Sequence, residues 1–526
     1  MKKIKLIFNL FFKSNTEVKI KTYNDLYRSN SFSKIRKIRT EFGKIRFREI
    51  KYDNNFDLEL ITRQYYMHLF GGLNLEAQIL LALGKKRPIR FYPLLEKHCK
   101  VLRDNGIKVS VFWTRITFGI TMFSVWFLGV LLFIKGIFIK KGIREEDVNF
   151  KPFIYFDGLT KKNLPDFYPD GSSYDIITWM LTTQKPETKQ IIHNVPNTEN
   201  INYNDYKISS VRGPLPIPKN HIRHLISSSK LIISSLISLL KGEWWKALLL
   251  NESLKARKFD FVEKSQVAQK YLFYDSESIY RPMWTYKAEK LGAQIILYAY
   301  STNDRVMPAE GPEENSDLIG LMNWQEYWVW DKQQSNLLKT NIARSIKTKI
   351  VGPINFSSRS IPIKHSPNLR VAIFDSPPFK VGAYFGFSTS QGLGLNEAQV
   401  HINFIRDIID VFRSKNKTDF FFKTKRNIDS RYEVKTYLET LNTLNRENNF
   451  HILDGDISAA YLIENSDITI SYPFTSTAVI AKFKKKVSLF YDPSGKISKF
   501  DKASHNVPII STKNELKKWF LEQLIT

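Results

Sequence analysis

From residue 369 to the end of the chain, short apolar runs alternate with helical stretches, and the apolar runs end in polar or charged residues. The runs cover 369–374, 419–422, 450–453, 467–471 and 487–491. Stretches of helical character separate or close them at about 396–414, 432–445, 458–464, 479–483 and 513–523. Strands too apolar to face water on either side, each followed by a helix, predict a parallel sheet with helical crossovers. In such a sheet the ligand sits beyond the carboxyl ends of the strands. Those ends carry Asp375-Ser376, Lys423 with Lys425 and Arg426, Asp454 with Asp456, Thr475-Ser476-Thr477, and Asp492.

A similar alternation precedes it. Apolar runs at 153–156, 268–274, 294–300, 327–330 and 350–353 read as strands, with a further one at 188–193. Helices are predicted over 174–183, 281–291 and 332–338, and 194–218 reads as loop because of its prolines and glycine. Residues 354–368, rich in serine and with Pro362 and Pro367, read as a linker. The domain division that follows is 1–149, 150–353 and 369–526, with two α/β units in the second and third parts.

One segment combines these features with chemistry. Residues 466–471 form an apolar strand, and Tyr472-Pro473-Phe474-Thr475-Ser476-Thr477-Ala478 leads into a helix. Three hydroxyls thus stand where unpaired amides and the helix dipole favour an anion. An ordinary helix N-cap uses the same residue types.

The strand, SYPFTSTA and helix together resemble the bacterial polysaccharide-biosynthesis proteins known for their PFTS motif, here Pro473-Phe474-Thr475-Ser476. More widely, the chain from 150 on is similar to GT-B glycosyltransferases of capsule and surface-glycan synthesis. The run Tyr280-Arg281-Pro282-Met283-Trp284-Thr285-Tyr286-Lys287-Ala288-Glu289 shares in that likeness. The resemblance implies two Rossmann-like domains facing a cleft, acceptor on the first and nucleotide-sugar donor on the second. Related transferases using CMP-activated sugars often carry a His-Pro pair after a strand of the second domain. Here the corresponding place reads Phe422-Lys423-Thr424-Lys425-Arg426.

Within that frame Ser376, Lys423, Lys425, Arg426, Thr475, Ser476 and Thr477 are the candidate donor-binding residues. Fixed cations stabilise the charge of a departing phosphate without a metal. Glu289 is the candidate base for the acceptor hydroxyl, with Asp275 and Glu277 as weaker candidates. Asp454-Gly455-Asp456 is a D-x-D, read here as the start of a short helix with Asp456 as its cap. With no His or Cys cluster beside it, no metal and no other cofactor are expected.

The remaining sequence points to a membrane surface. Residues 116–134 are nineteen residues without charge, just long enough to cross a bilayer. Yet residues 1–115 hold 25 Lys and Arg against 10 Asp and Glu, and Lys135, Lys140 and Lys141 follow. Both flanks look cytoplasmic. Residues 225–250 form a second apolar stretch, with Lys230, Lys241 and the pair Trp244-Trp245. Both segments are expected to dip into the inner leaflet without crossing it. The whole chain of 526 residues carries a net charge of +28, which suits an anionic partner. Its single cysteine, Cys99, rules out an intrachain disulfide and fits a reducing compartment.

The expected activity is glycosyl transfer from a nucleotide sugar, a CMP-linked acidic sugar being one case, to a growing glycan or lipid-linked glycan. The expected location is the cytoplasmic face of the inner membrane. A second reading is a polyol phosphotransferase using a CDP donor. A third, of a different class, is a non-catalytic basic protein that binds nucleic acid or scaffolds an assembly. That third reading wants aromatics interleaved with basic residues along one surface. Here the aromatics follow the strands and apolar segments, so no nucleic-acid partner is expected.

Overall fold

The structure is a computed structural model. It describes residues 31–50, 57–71, 75, 78–79, 82–83, 87–138, 153–157, 175–179, 201–203, 206–210, 214–274, 279–302, 319–342, 344–353, 367–378, 397–413, 417–424, 434–455 and 457–523. Two sheets organise it. The first contains β1 (Phe153–Asp157), β2 (Asp175–Trp179), β3 (Ile201–Tyr203), β4 (Tyr206–Ser210), β5 (Lys270–Tyr274), β6 (Gln294–Tyr298), β7 (Glu326–Val329) and β8 (Lys347–Ile350), in the order β3-β4-β2-β1-β5-β6-β7-β8. The second contains β9 (Leu369–Asp375), β10 (Thr418–Thr424), β11 (Phe450–Leu453), β12 (Ile468–Ser471), β13 (Val487–Tyr491) and β14 (Ile509–Ile510), in the order β11-β10-β9-β12-β13-β14. Every pairing is parallel except β3 with β4.

The α/β class expected from the sequence is the observed one. The second sheet has the doubly wound strand order, in which the chain builds outward from β9 in one direction and then, from β12, in the other. Right-handed crossovers then put helices on opposite faces for the two halves. Helices α10 (Ala398–Arg413) and α11 (Lys435–Leu444) pack on one face through Phe404, Ile405, Ile408 and Tyr437, against Val371, Ile373, Phe420 and Ile470. Helices α12 (Ala459–Glu464) and α13 (Ser476–Phe483) cover the other, where Leu462, Ile463 and Ala481 meet Ala372 and Phe374. The closing helix α14 (Lys513–Gln523) returns to the first face with Leu516 and Phe520.

Three sequence expectations are corrected. Residues 175–179, read as part of a helix, form β2 between β1 and β4. The run Asp-Ile-Ile-Thr-Trp holds three consecutive β-branched residues and a Trp, which suit a pleated surface better than a helix. Part of the 194–218 loop is the antiparallel pair β3 and β4. The strand read at 350–353 lies earlier, at β8, whose polar KTKI sequence hid an edge strand. The run expected as a strand at 188–193 lies outside the described residues.

The first sheet is covered differently on its two faces. Tyr271, Phe273, Ile295, Leu297, Tyr327 and Val329 point into a large core. That core also holds α1 (Ser31–Lys44), α2 (Leu58–Phe70), α3 (Glu96–Asp104), α6 (Trp244–Leu248) and α8 (Met283–Lys290). Described residues from before and after position 149 therefore share one apolar core. Phe42, Tyr66 and Trp244 are buried in the same mass as Tyr271 and Trp284. Helix α4 (Val111–Phe138) and helix α5 (His221–Leu240) lie along it, α7 (Leu250–Arg257) follows α6, and α9 (Lys332–Asn341) follows β7.

The alternate residues of the same strands, Leu272, Ile296, Tyr298 and Trp328, form the other face with Trp330. The partners there come from the second unit: Ala478 and Val479 of α13, with Phe490, Val507 and Ile509. Helix α13 is thus shared. Ala481 packs on the second sheet, while Ala478 and Val479 pack toward the first. Its small residues, Ala478 and Ala481, allow a close approach on both sides.

Candidate functional site

The strand order puts the topological switch point of the second sheet between β9 and β12. There neighbouring crossovers leave on opposite faces and open a crevice at the carboxyl edge. The segment leaving β12 at this point is Tyr472-Pro473-Phe474-Thr475, and helix α13 begins at Ser476. The segment leaving β9 begins at Ser376.

Each hydroxyl of the motif has a defined place. Thr475 occupies the N-cap position of α13, but its hydroxyl does not cap the helix. It donates instead to the carbonyl of Tyr472 at 2.9 Å and lies 3.1 Å from Thr477 Oγ1. Thr477 Oγ1 in turn lies 2.8 Å from Ser471 Oγ, at the end of β12. These contacts fold the loop onto its own strand and leave the first turn of α13 without an N-cap side chain. Ser476 points the other way. Its Oγ accepts from the Thr302 amide at 3.3 Å and lies 3.3 Å from Thr302 Oγ1.

Thr302 stands beyond the carboxyl end of β6, so the carboxyl edges of the two sheets meet at this pair. The segment 299–302 is itself anchored. Trp330 Nε1 donates to the Ala299 carbonyl at 2.6 Å, and Gln334 Nε2 to the Ser301 carbonyl at 3.0 Å. A second junction joins His505 Nδ1 to Asp331 Oδ2 at 2.6 Å. Burial acts to raise the Asp331 pKa, and the His505 contact, together with the Gln334 amide and Lys482, more than offsets it, leaving the carboxyl below its ordinary value.

Across the crevice, Asp375 closes β9. Its carboxylate is fully buried and accepts from Tyr437 OH at 2.6 Å, from the Ser376 amide at 2.7 Å, and pairs with His401 Nδ1 at 2.8 Å. The His401 ring stacks on Tyr472, with centroids 4.1 Å apart and planes at 22°. Tyr472 is the first residue of the loop, so the Asp375 cluster and the PFTS segment share one packed contact. Sequence reading found Asp375 as a strand end and missed His401 and Tyr437. The signal available was His401 in the first turns of α10, which the fold must return to the carboxyl edge.

The other predicted residues divide. Ser376 lies at the crevice, its amide bound to Asp375. Lys423 is buried at the end of β10, and its ammonium donates to the carbonyls of Gly455 at 3.0 Å and Thr424 at 3.3 Å. Its charge is therefore partly spent on holding the β11–α12 loop. Asp275, Glu277, Lys425, Arg426 and Asp456 lie outside the described residues. The cap of α12 is Ser458, whose hydroxyl accepts from the Tyr461 amide at 3.3 Å, and not Asp456 as expected.

Glu289 stands apart from this joint. It lies in the last turn of α8, which runs back from the end of β5 to the start of β6. That is the amino edge of the first sheet, opposite the edge where Thr302 meets Ser476. There it is ion-paired with Arg281, whose guanidinium also donates from Nε to Thr285 Oγ1 at 2.9 Å and stacks on Tyr286 at 4.0 Å. Glu289 is the counter-ion of a buried arginine. No cluster of three or more metal-ligating His, Cys, Asp or Glu residues occurs among the described residues.

These features define an α/β protein with one parallel and one mostly parallel sheet that meet at their carboxyl edges through the PFTS loop. A family model described as polysaccharide biosynthesis PFTS motif protein matches residues 229–520, and the chain belongs to that family. No curated protein matches it. Similar solved structures include sucrose-phosphate synthase from Thermosynechococcus elongatus, at 8% identity and a TM-score of 0.37, covering 71% of this chain and 90% of that one. A wall teichoic acid polymerase is similar at 11% identity and a TM-score of 0.35, covering 75% of this chain and 87% of that one. HepE of Anabaena in complex with UDP-glucose is similar at 10% identity and a TM-score of 0.35, covering 71% and 89%.

Proposed function

We propose that the chain is a GT-B-type glycosyltransferase that adds a sugar from a nucleotide-sugar donor to a growing surface polysaccharide. The observation that carries this reading is the position of the PFTS loop. It sits at the switch point of a doubly wound sheet, at the N-terminus of α13, and touches the opposing sheet through Ser476 and Thr302. The crevice at such a point is where this class of fold takes a nucleotide.

In the reaction, the bond between the sugar's anomeric carbon and the donor phosphate oxygen breaks. A bond to an acceptor hydroxyl forms, the hydroxyl's proton passes to a base, and the nucleotide leaves with added negative charge. The α13 dipole and the first-turn amides, with no N-cap side chain over them, are suited to bind that charge. Lys423 adds a cation at the neighbouring strand end, and Lys425 and Arg426 follow it in sequence. The transfer needs no metal. Asp375, held by Tyr437 and His401, positions Tyr472 and with it the loop. The donor is a nucleotide sugar, and a CMP-linked acidic sugar is one case. The acceptor is a glycan carried on a lipid at the cytoplasmic face of the inner membrane.

Incubating the purified protein with a panel of nucleotide sugars and an acceptor extract, and following release of free nucleotide, tests the reading. Release from one donor supports it. Intact folded protein that turns over none of the donors refutes it.

A further inference from the structure

Helices α4 and α5 turn apolar stripes outward. In α4 the buried side mixes Thr114, Thr117 and Thr121 with Met122, Val125 and Leu128, while Ile116, Ile120, Phe123, Phe127, Leu131 and Ile134 are exposed. In α5 the buried side carries Ser228, Ser235 and Ser238, while Ile222, Ile226, Ile233, Ile237 and Leu240 are exposed. A helix on a water-soluble surface shows the opposite arrangement.

The two helices lie antiparallel. Trp126 Nε1 donates to Ser235 Oγ at 3.0 Å, and the Phe133 ring lies 6.0 Å from His224. Ser235 thus takes a side-chain hydrogen bond between them, a polar contact of the kind made between helices within lipid, while Thr117 bonds back to the Trp113 carbonyl of its own helix. Each helix turns an exposed apolar stripe outward. Neither helix contains an acidic residue. Arg115 and Lys135 stand toward the ends of α4, and Arg223 and Lys230 lie on α5.

The other side of α4 is fixed to the globular body. Phe118 packs on Trp244 with centroids 5.4 Å apart. At Gly129 an added Cβ would lie 3.3 Å from Leu250 Cδ2 and 3.4 Å from the Asn251 amide nitrogen. The adjoining α7 is polar and carries Glu252, Lys255 and Arg257. Such a neighbour cannot enter a bilayer core, so α4 cannot cross a membrane while keeping these contacts.

From this geometry we propose that the α4–α5 face lies in the plane of a membrane, sunk into the acyl region of one anionic leaflet, and that neither helix crosses it. Hydrophobic side chains enter the leaflet, and the flanking Arg and Lys heads remain at the phosphate level. This deepens the proposed function, resting on it only for the acceptor's location, and gives the body a fixed orientation toward a lipid-linked acceptor.

The test is flotation of the full chain, scored by protein recovered and not by turnover, so it stands apart from the search for a donor. Vesicles of phosphatidylcholine with phosphatidylglycerol should carry the protein, and phosphatidylcholine alone should carry less of it. The pair Phe127→Glu and Ile233→Glu, at exposed positions, should lower vesicle affinity about tenfold or more while leaving the circular dichroism unchanged. In a Cys99→Ala background, single cysteines at Arg115→Cys and Lys135→Cys should both react with an impermeant maleimide added outside the vesicles. Protection of one end alone would mean a crossing helix and overturn the proposal. So would a detergent-free dimer that the glutamate pair dissociates and that does not float.

Discussion

Ser476 Oγ lies 3.3 Å from both the amide nitrogen and the hydroxyl of Thr302. One residue belongs to the PFTS loop of the second unit and the other to the end of β6 in the first. The motif is therefore a joint between two sheets as well as a strand-to-helix turn. Its serine is committed to the joint, while Thr475 and Thr477 tie the loop to β12.

That division makes a prediction about the serine. Ser476→Ala and Thr302→Val should each destabilise the fold by about 0.5–1.5 kcal/mol, the net value of a partly buried hydrogen bond. Together they should cost less than the sum, because they remove one shared contact. A double-mutant cycle by urea unfolding measures this. Strict additivity would mean that the contact contributes nothing.

A second prediction concerns Glu289. Glu289→Gln leaves the buried Arg281 guanidinium without its counter-ion and should lower stability by about 1–3 kcal/mol. Turnover per folded molecule should be unchanged. A loss of kcat of several orders of magnitude in a stably folded variant would return Glu289 to the role of base.

The Asp375 cluster should act on the loop through packing. Tyr437→Phe removes one of the donors to a buried carboxylate, and His401→Phe keeps the stack on Tyr472 while removing the Nδ1 contact. Both should destabilise by about 1–3 kcal/mol. His401→Ala, which also loses the stack, should weaken donor binding further than His401→Phe. Equal donor affinity in the two His401 variants would show that the stack does not position the loop.

Acid stability should depend on His98. It is fully buried, with ring centroids 4.5 Å from Phe42 and 4.8 Å from Tyr66. Burial, with Lys97 adjacent, pushes its pKa down from 6.5 to about 3. A lowered folded-state pKa means that the unfolded chain binds a proton in that interval and the folded chain does not. Its contribution is therefore complete above pH 6.5 and is lost as the pH falls toward 3. His98→Phe should flatten the dependence of the urea midpoint on pH within this window. An unchanged slope would mean that His98 is charged in the fold.

The second unit was legible in sequence almost to the residue. Strands β11 and β13 and helix α14 begin and end where apolar pattern and flanking polar residues place them, because each is buried and locally consistent. β2 was misread because a short run such as Asp-Ile-Ile-Thr-Trp, without strict alternation, does not separate helix from strand. β8 was hidden because an edge strand can be polar on both sides. The site was legible only as strand ends. Which ends meet depends on strand order, and strand order is set by long-range pairing that no local pattern contains. Glu289 shows the consequence. Its local context was suggestive, and only the return direction of α8 shows which edge of the sheet it occupies. His401 shows the converse, an ordinary helical residue that the fold brings to Asp375.

The central claim is that the crevice between β9 and β12 holds the donor's phosphates at the start of α13. The most direct measurement is a structure of the full chain with the donor nucleotide bound. The account predicts phosphate oxygens within hydrogen-bond reach of the first-turn amides of α13, beside Ser376 and on the side of the crevice facing Thr302. A nucleotide held elsewhere, with the segment from Tyr472 to Thr477 untouched, would contradict it.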